Sequence, residues 1–310
     1  MNQSNSNKKF KNDLKQYVEM CKGLDVSIHK IESYGGKGVI EPQREVNDVG
    51  VDFVYAVQNQ IVTRWFVNFL QKNPDLTKSN TGPSTIRCID IGSQTGFITL
   101  LASFANFILV DPSLSLSAAT LYHPEMGVAF ASAEAQDLSI FEDQSFVWIS
   151  SLHAIEHFGL GRYGDKIDPL GDIRGLREIY RLLRNNGIFV GSVPIVEKKF
   201  EKIEFNKNRL YSIETIKKML KDCGFDIVNE TIAHSPTPTA TLTNSVPGQA
   251  PVTPVLRMSV KEFDSVYASG KMDIYKKPPD AAYIWVATKK CDTSNPQDVV
   301  LTNFRSAKEE

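Results

Sequence analysis

The residues with the clearest chemical potential form a glycine loop. Asp90, Gly92 and Gly96 lie within Ile89–Phe97, where a short apolar run leads into glycines and then into an apolar helical stretch. Glycine lets the backbone turn tightly and lets a ligand approach the main chain, and free N–H groups at a helix start can bind an anionic group. Asp111 follows the next apolar run, 21 residues after Asp90, where a carboxylate can accept both hydroxyls of a ribose. This spacing predicts a nucleoside-binding site.

Two of the five histidines lie close together after a later apolar run. His153 and His157 are four residues apart, so they share one face if the segment is helical. An imidazole, with its pKa near neutrality, can remove a proton from a reacting group, so both are candidate catalytic residues, with His153 first. With Glu156 they also spell His-x-x-Glu-His, a pattern in which two histidines hold zinc. A zinc hydrolase is one alternative, although the pattern follows a strand and does not lie on a long helix.

A polar, glycine-containing segment follows the histidines and offers groups for a second ligand. Arg162, Tyr163 and Asp165 could form hydrogen bonds with a polyhydroxylated or phosphorylated acceptor, and Arg209 and Tyr211 are further candidates after a later strand. The alternative interpretation is a surface Ω-loop with polar side chains. The side chains that could together gather Mg²⁺ are His153, His157, Asp165 and Asp168. The sequence does not favour Mg²⁺, and no metal ligand is predicted.

These candidates depend on a sheet to bring them together. Short apolar runs alternate with amphipathic stretches, as in a parallel sheet with crossover helices. The predicted strands are Ile86–Ile91, Phe107–Val110, Val128–Phe130, Phe146–Ser150, Ile188–Val193, Phe225–Val228 and Tyr283–Thr288. Helices are predicted over Asp172–Arg184, before an Asn-Asn-Gly turn, and over Ile213–Cys223. Because ligands of such sheets bind at the carboxyl ends of the strands, the glycine loop, Asp111 and His153 should share one edge.

The chain divides into a catalytic region and two flanks. Residues 1–82 are predicted to form a leader and a helical cap, with a loose leader over Met1–Lys11 and two amphipathic helices after it. Residues 83–290 form the catalytic domain, after a polar linker at Lys78–Ser84. Within it, residues 231–254 are rich in Thr and Pro and are predicted to be a mobile loop. Residues 291–310 are polar and are predicted to be a disordered tail.

The order of the motifs resembles that of the class I S-adenosylmethionine-dependent methyltransferases, over residues 86–288. The glycine loop resembles the first motif of that family, Asp111 its ribose acid, and Glu134-Ala135 the pair that holds adenine. Later motifs follow in order: Asp137-Leu138, Ser145-Phe146, Ile155-Glu156-His157 and the turn from Leu182 to Gly187. The residues predicted to bind the cofactor are Asp90, Gly92, Ser93, Gln94, Gly96, Asp111, Glu134, Ala135 and Ser151. The resemblance implies S-adenosyl-L-methionine as cofactor and an α/β fold with a seven-stranded Rossmann-like methyltransferase sheet, mostly parallel, with the last strand antiparallel.

Two positions depart from the family pattern. Gln94 stands where the family usually has a third glycine, and Val147 stands where it has aspartate. Gln94 could crowd the amino-acid end of the cofactor. It therefore supports a second hypothesis, a methyltransferase fold that binds or regulates without catalysis. An NAD-binding Rossmann protein is a further alternative, but its usual fingerprint, G-x-G-x-x-G, does not occur in this sequence.

Composition and charge exclude several classes. A chain of 310 residues that is 42% hydrophobic and 23% charged is neither disordered nor collagen-like. Its 35 basic and 36 acidic residues give a net charge of −1, which argues against a nucleic-acid partner. The longest apolar stretch falls short of the roughly 20 residues of a membrane span. Four cysteines without C-x-x-C spacing predict a reduced, cytoplasmic protein.

Together these features predict methyl transfer to an oxygen atom of a small acceptor. The segment after the histidines resembles methyltransferase-like proteins associated with surface-polysaccharide and sugar modification, so the predicted acceptor is a sugar or sugar nucleotide. The predicted chemistry uses a general base to remove the acceptor proton. The sequence leaves the oligomeric state open, and a homodimer is compatible with it.

Overall fold

The structure is a computed structural model that describes residues 3–33, 53–76, 86–113, 120–123, 127–234, 256–261 and 281–289. The α-helices in these stretches are α1 (Gln3–Met20), α2 (Phe53–Lys72), α3 (Thr95–Leu101), α4 (Gly171–Leu182) and α5 (Ile213–Asp222). The strands are β1 (Ile31–Ser33), β2 (Cys88–Ile91), β3 (Phe107–Val110), β4 (Thr120–His123), β5 (Val128–Ala131), β6 (Phe146–Leu152), β7 (Leu183–Pro194), β8 (Lys202–Phe205), β9 (Asn208–Leu210), β10 (Phe225–His234), β11 (Leu256–Met258) and β12 (Ala281–Lys289).

A large mixed sheet organises the described part of the chain. Its strands lie in the order β11-β10-β12-β7-β6-β2-β3-β5-β4. The central strands β7, β6, β2, β3 and β5 are parallel, and β12 is antiparallel to both of its neighbours. The seven-stranded Rossmann-like sheet with an antiparallel last strand is thus confirmed. Strands β4 and β11 extend its edges and were not predicted, because Thr120–His123 and Leu256–Met258 contain polar residues and are not continuous apolar runs.

Helices cover both faces of this sheet. Helices α1, α4 and α5 contribute to one hydrophobic cluster, and α2 and α3 contribute to a second. Successive strand residues alternate between the clusters: Ile89 and Ile149 belong to the first, whereas Cys88 and Trp148 belong to the second. On α2, the Phe66 ring lies 4.8 Å from the Trp148 ring. Helix α2 therefore packs directly on one face of the sheet, whereas α1, α4 and α5 contribute to the cluster on the other face.

The start of the chain is more ordered than predicted. Helix α1 begins at Gln3, so the prediction of a loose leader over Met1–Lys11 is wrong for most of that segment. The buried Phe10 ring lies 5.8 Å from Phe205 in β8, and the Tyr17 ring lies 5.0 Å from the same residue. Such tertiary contacts stabilise a helix whose polar sequence gives little indication of order.

Other boundaries differ slightly from the predictions. The helix predicted over Asp172–Arg184 spans Gly171–Leu182, because Leu183 is already extended (φ −70°, ψ 131°) and continues into β7. Strands β1, β8 and β9 form a small second sheet that was not predicted. No helix among the described residues is long and apolar enough to cross a membrane. The predicted linker, nearly all of the predicted mobile loop and the predicted disordered tail lie outside the described residues.

Candidate functional site

Three of the predicted cofactor positions lie side by side at one edge of the sheet. The backbone N–H of Gly92, after β2, donates to the carbonyl of Val110 at 2.9 Å. The N–H of Asp111, after β3, donates to the carbonyl of Ala131 at 3.1 Å, and Glu134 follows that strand, β5. These bonds continue the parallel ladders beyond the strands. The structure thus brings the glycine loop, the predicted ribose acid and the predicted adenine pair together at the carboxyl ends of adjacent strands.

Asp90 holds the glycine loop in place from inside the protein. Its carboxylate accepts the N–H of Ser93 at 3.0 Å and the hydroxyls of Ser93 and Ser150 at 2.7 and 2.6 Å. Burial raises the pKa of Asp90 to about 7, although these donors act to lower it. Ser93 Oγ also accepts the N–H of Leu152 at 2.8 Å, which ties the loop to the end of β6. The predicted cofactor contacts of the Asp90 and Ser93 side chains are therefore corrected to a role in positioning the loop.

Ser151 and Ala135, which are also predicted to bind the cofactor, have buried side chains. Ser151 Oγ donates to the carbonyl of Ile91 at 2.9 Å, and the Ala135 methyl group belongs to the first hydrophobic cluster. Both side chains fix the backbone at this edge of the sheet. Contact between either residue and a cofactor would have to use main-chain atoms.

Two predicted carboxylates remain half-buried at the edge. Asp111 Oδ1 accepts the N–H and the hydroxyl of Ser113 at 2.7 and 2.6 Å. Glu134 Oε1 accepts the N–H of Lys166 at 3.0 Å. In these bonds each carboxylate uses a single oxygen. The second oxygen of each could accept hydrogen bonds from a nucleoside.

A pocket of about 550 Å³ lies between α2 and the start of α3. Its lining residues are Asn59, Gln60, Thr63, Arg64, Gln94, Gly96, Phe97 and Leu100. Gln94 precedes α3 and makes no capping hydrogen bond through its side chain. The predicted cofactor residues Gln94 and Gly96 thus border an open, largely apolar pocket beside the glycine loop.

The two glycines of the loop are expected to respond differently to substitution. Gly92 has φ +77°, and a Cβ there would lie 3.0 Å from the Ala154 Cβ, whereas a Cβ on Gly96 would meet nothing within 4 Å. We expect Gly92→Ala to lower the free energy of unfolding by about 1–3 kcal/mol because of this strain. Gly96→Ala, in helix α3, serves as the matched control and should be neutral or stabilising by up to about 1 kcal/mol. Urea unfolding checks both, and equal effects would contradict the strained geometry of Gly92.

The candidate base His153 lies just beyond β6 and is held from two directions. It has φ +50°, and its N–H donates to the carbonyl and to Oγ of Ser192 at 2.9 and 3.2 Å. Ser192 in turn donates to Gln58, and the Tyr55 ring lies 4.5 Å from the imidazole. The His153 side chain is 6% exposed, and no described residue provides a hydrogen-bond partner for Nε2.

Helix α2 therefore completes the site through Tyr55 and Gln58. This contribution of α2 was not predicted from the sequence. Gln58 offered one signal, because it lies four residues after Val54 on the buried face of an otherwise apolar stripe. Tyr55 offered none, because a partly buried aromatic residue is common on such a helix. Its contact with His153 joins segments separated by almost a hundred positions along the chain.

Glu156 lies between the two histidines. Its Oε1 is 3.5 Å from His153 Nδ1 and 3.8 Å from His157 Nε2, and its side chain is 2% exposed. Burial acts to raise the pKa of the Glu156 carboxyl, but His157 and His153 lower it below its ordinary value. Burial lowers the pKa of His157 to about 4 in spite of Glu156, so His157 is neutral at neutral pH. His157 Nδ1 lies 2.5 Å from the carbonyl of Lys207.

The predicted acceptor residues Arg162 and Tyr163 lie beside His157. The Tyr163 ring is 5.5 Å from the His157 ring, and the Arg162 guanidinium is 5.4 Å from the Tyr163 ring. Tyr163 is exposed. Asp165, by contrast, is buried and accepts two backbone N–H groups of its own loop, at 3.2 and 3.1 Å. The acceptor contact predicted for Asp165 is thus corrected to a role in shaping the loop.

Arg209 and Tyr211 do not lie at the site. Both are fully buried: Arg209 Nε is 3.4 Å from Asp172 Oδ2, and the Tyr211 hydroxyl donates to the same oxygen at 2.9 Å. Arg209 also donates to the carbonyl of Phe158 at 2.6 Å and to the Tyr17 hydroxyl at 3.4 Å. The prediction that they contact an acceptor is wrong, because their polar groups bind one another in the interior and join α1, α4 and β9.

A metal centre finds no support in the described ranges. They contain no group of three or more His, Cys, Asp or Glu side chains that could hold a metal ion. Of the residues that could have gathered Mg²⁺, Asp165 binds its own loop and Asp168 pairs with Arg174 at 2.8 Å. The zinc alternative built on His153, Glu156 and His157 has no support from this geometry.

The strand order and the site together define a protein with the Rossmann-like methyltransferase fold. Residues 98–252, half of the chain, match the family described as "Caenorhabditis protein of unknown function, DUF268". The chain belongs to this family.

Solved structures of similar proteins include three from bacteria. A SAM-dependent methyltransferase of Thermotoga maritima, described as a possible histamine N-methyltransferase, is 19% identical over 77% of this chain and 97% of its own, with a TM-score of 0.39. The YcgJ protein of Bacillus subtilis is 15% identical over 74% and 99%, with a TM-score of 0.42. An S-adenosylmethionine dependent methyltransferase of Mesorhizobium loti is 15% identical over 66% and 90%, with a TM-score of 0.40. No curated protein matches the sequence. Because these TM-scores are below 0.5, the fold assignment rests on the strand order.

Proposed function

We propose that this protein is an S-adenosylmethionine-dependent methyltransferase that acts on an oxygen atom of a sugar or sugar nucleotide. The observation that carries the proposal is the shared sheet edge. There the glycine loop, Asp111 and Glu134 follow adjacent parallel strands, and β6, which leads to His153, pairs with β2 on the other side. A Cβ on Gly92 would lie 3.0 Å from the Cβ of Ala154, the residue after His153. The glycine loop therefore lies next to the segment that carries the candidate base.

The residues at this edge fit the cofactor. Asp111 and Glu134 each have one carboxylate oxygen that takes no part in the hydrogen bonds described above. These oxygens can accept hydrogen bonds from ribose hydroxyls and from the amino group of adenine. Gly96 is exposed with open space above its Cα, so a ligand can approach the backbone there. When bound, S-adenosylmethionine would supply an electrophilic methyl group. The protein has to bind the acceptor, orient it and take its proton.

His153 is suited to take that proton. Its Nε2 is buried and has no partner in the described part of the chain, and its backbone is anchored by Ser192. The proton lost by an acceptor hydroxyl would go to Nε2. The Tyr55 ring covers the imidazole and helps to exclude water.

Arg162 and Tyr163 support a carbohydrate acceptor. An exposed aromatic ring can lie against the apolar face of a sugar, and an adjacent guanidinium can bind a phosphate group in bidentate fashion. A sugar nucleotide would use both contacts, the aromatic ring for its sugar and the guanidinium for its phosphate groups. We place the reaction in surface-polysaccharide or glycan modification on the basis of this acceptor class.

Cofactor binding is tested by calorimetry with S-adenosylhomocysteine. We expect Asp111→Ala to weaken binding about 10- to 100-fold, because it removes charge-assisted hydrogen bonds to the ribose. Asp226→Ala is the matched control, because this exposed carboxylate lies at the amino end of β10, far from the glycine loop in the strand order. The proposal fails if the unaltered protein does not bind S-adenosylhomocysteine or if Asp111→Ala binds it equally well.

A non-catalytic binding module is the second candidate function. It is favoured by Gln94, which stands beside Gly96 in the pocket lining, where a bulky side chain meets the predicted cofactor site. Offering S-adenosylmethionine and pooled sugar nucleotides distinguishes the two. Release of S-adenosylhomocysteine supports the methyltransferase, whereas tight cofactor binding without release supports the non-catalytic module.

A further inference from the structure

The hydrogens of the two imidazoles can be assigned from their neighbours. His157 Nδ1 lies 2.5 Å from the Lys207 carbonyl, which can only accept a hydrogen bond, so Nδ1 carries the proton. His157 is neutral at neutral pH, because burial lowers its pKa to about 4. Its Nε2, 3.8 Å from Glu156 Oε1, therefore presents a lone pair to the carboxylate and donates nothing to it.

Glu156 then has one side-chain donor within reach. His153 Nδ1 lies 3.5 Å from Glu156 Oε1, and no described residue provides a hydrogen-bond partner for Oε2. Apart from a backbone N–H of its own residue, the buried carboxylate would have no donor, which is costly, so the proton of His153 is favoured on Nδ1, facing Glu156. The opposite tautomer would turn a second lone pair toward the same carboxylate. It would also place the N–H on Nε2, which is buried and has no acceptor among the described residues.

We propose that Glu156 is a positioning residue that holds His153 in the Nδ1–H tautomer and so keeps the Nε2 lone pair available as the general base. The proposal rests on the proposed methyl transfer for its functional consequence. The structure supports it through three restraints on the same ring: Glu156 on the Nδ1 side, the Tyr55 ring against one face, and the backbone bonds to Ser192. A base whose tautomer is set by a buried carboxylate needs no reorientation before it accepts a proton.

The other ionisable groups near this cluster do not compete for the same role. The Arg162 guanidinium acts on His157 and donates to the Lys207 carbonyl at 3.2 Å. Tyr211 lies close enough for the Glu156 charge to raise its pKa, but its hydroxyl donates to Asp172. Glu156 is thus the carboxylate that sets the His153 tautomer among the described residues.

The test is a tautomer measurement by ¹⁵N NMR on full-length protein labelled at histidine, with the His153 signals assigned by their loss in His153→Asn. We expect Nδ1–H in the unaltered protein, a weaker preference in Glu156→Gln, which keeps a neutral acceptor, and loss of the preference in Glu156→Met. Glu142→Gln, at an exposed position, is the control. A His153 that carries its proton on Nε2 in the unaltered protein, or a tautomer unchanged in both Glu156 variants, would overturn the proposal.

Kinetics connect the tautomer to turnover. We expect kcat to fall about 10- to 100-fold in Glu156→Met and less in Glu156→Gln, with KM changed by less than about threefold, because a misplaced proton removes the base without removing the binding groups. A purely structural role would lower stability and cofactor affinity as well, which calorimetry with S-adenosylhomocysteine detects. The NMR readout needs no turnover. An inactive protein with the expected tautomer therefore contradicts the proposed function alone, whereas an active protein with the wrong tautomer contradicts the role of Glu156.

Discussion

Replacing His153 with asparagine is expected to lower kcat by about 10²- to 10⁴-fold, the usual contribution of a general base, while the affinity for S-adenosylhomocysteine stays unchanged. Asparagine is the better test than alanine, because His153 has φ +50° and asparagine tolerates that left-handed region. The backbone bonds to Ser192 should therefore survive the change. Turnover with a sugar-nucleotide acceptor and calorimetry with S-adenosylhomocysteine measure the two effects separately.

The matched control is His29→Asn, at an exposed position on the segment after α1. It should leave turnover and affinity unchanged. Full activity in His153→Asn would remove the base role from this residue. A parallel loss of cofactor affinity would instead show that His153 contributes to the shape of the cofactor site.

Replacing Arg209 with methionine is expected to lower the free energy of unfolding by about 3–5 kcal/mol, because it leaves a buried charge unpaired. Asp172 and Arg209 are both fully buried, and without Arg209 the carboxylate would keep three neutral donors: the hydroxyls of Tyr211 and Ser27, at 2.9 and 2.5 Å, and the N–H of Ile173, at 2.9 Å. The loss also removes the bond to the carbonyl of Phe158. Urea unfolding followed by circular dichroism measures the change.

A double variant separates the charge effect from a general packing defect. Arg209→Met combined with Asp172→Leu should be more stable than Arg209→Met alone, because no unpaired buried charge remains. Arg184→Met, at an exposed position, should change stability by less than about 0.5 kcal/mol. An Arg209→Met effect as small as that of the control would show that the Asp172–Arg209 pair does not join α1, α4 and β9 energetically.

The fold was largely predictable from local pattern. Runs such as Phe107–Val110 are apolar at every position because both faces of the central sheet are covered, and glycines and polar turns separate them from the helices. Helix α4 could be predicted because Leu176 and Ile179 share one buried face. Helix α1 could not be predicted to reach Gln3, because its polar N-terminal turns depend on contacts of Phe10 and Tyr17 with a strand nearly two hundred positions later.

For the site, the sequence alone determined which backbone segments meet. The glycine loop, Asp111, Glu134 and His153 follow parallel strands, and the topology of such strands places their carboxyl ends on one edge. Only the tertiary structure decided what each side chain does there. Residue type does not reveal whether a polar group faces a ligand or a buried partner, so Asp90, Arg209 and Tyr211 were assigned to ligands although their partners lie inside the protein. The environment of His153 could not be predicted for the same reason. Tyr55, which contacts it, comes from a helix distant in sequence. Which histidine donates to Glu156 depends on which ring nitrogen of His157 carries the proton, and the Lys207 carbonyl determines that nitrogen.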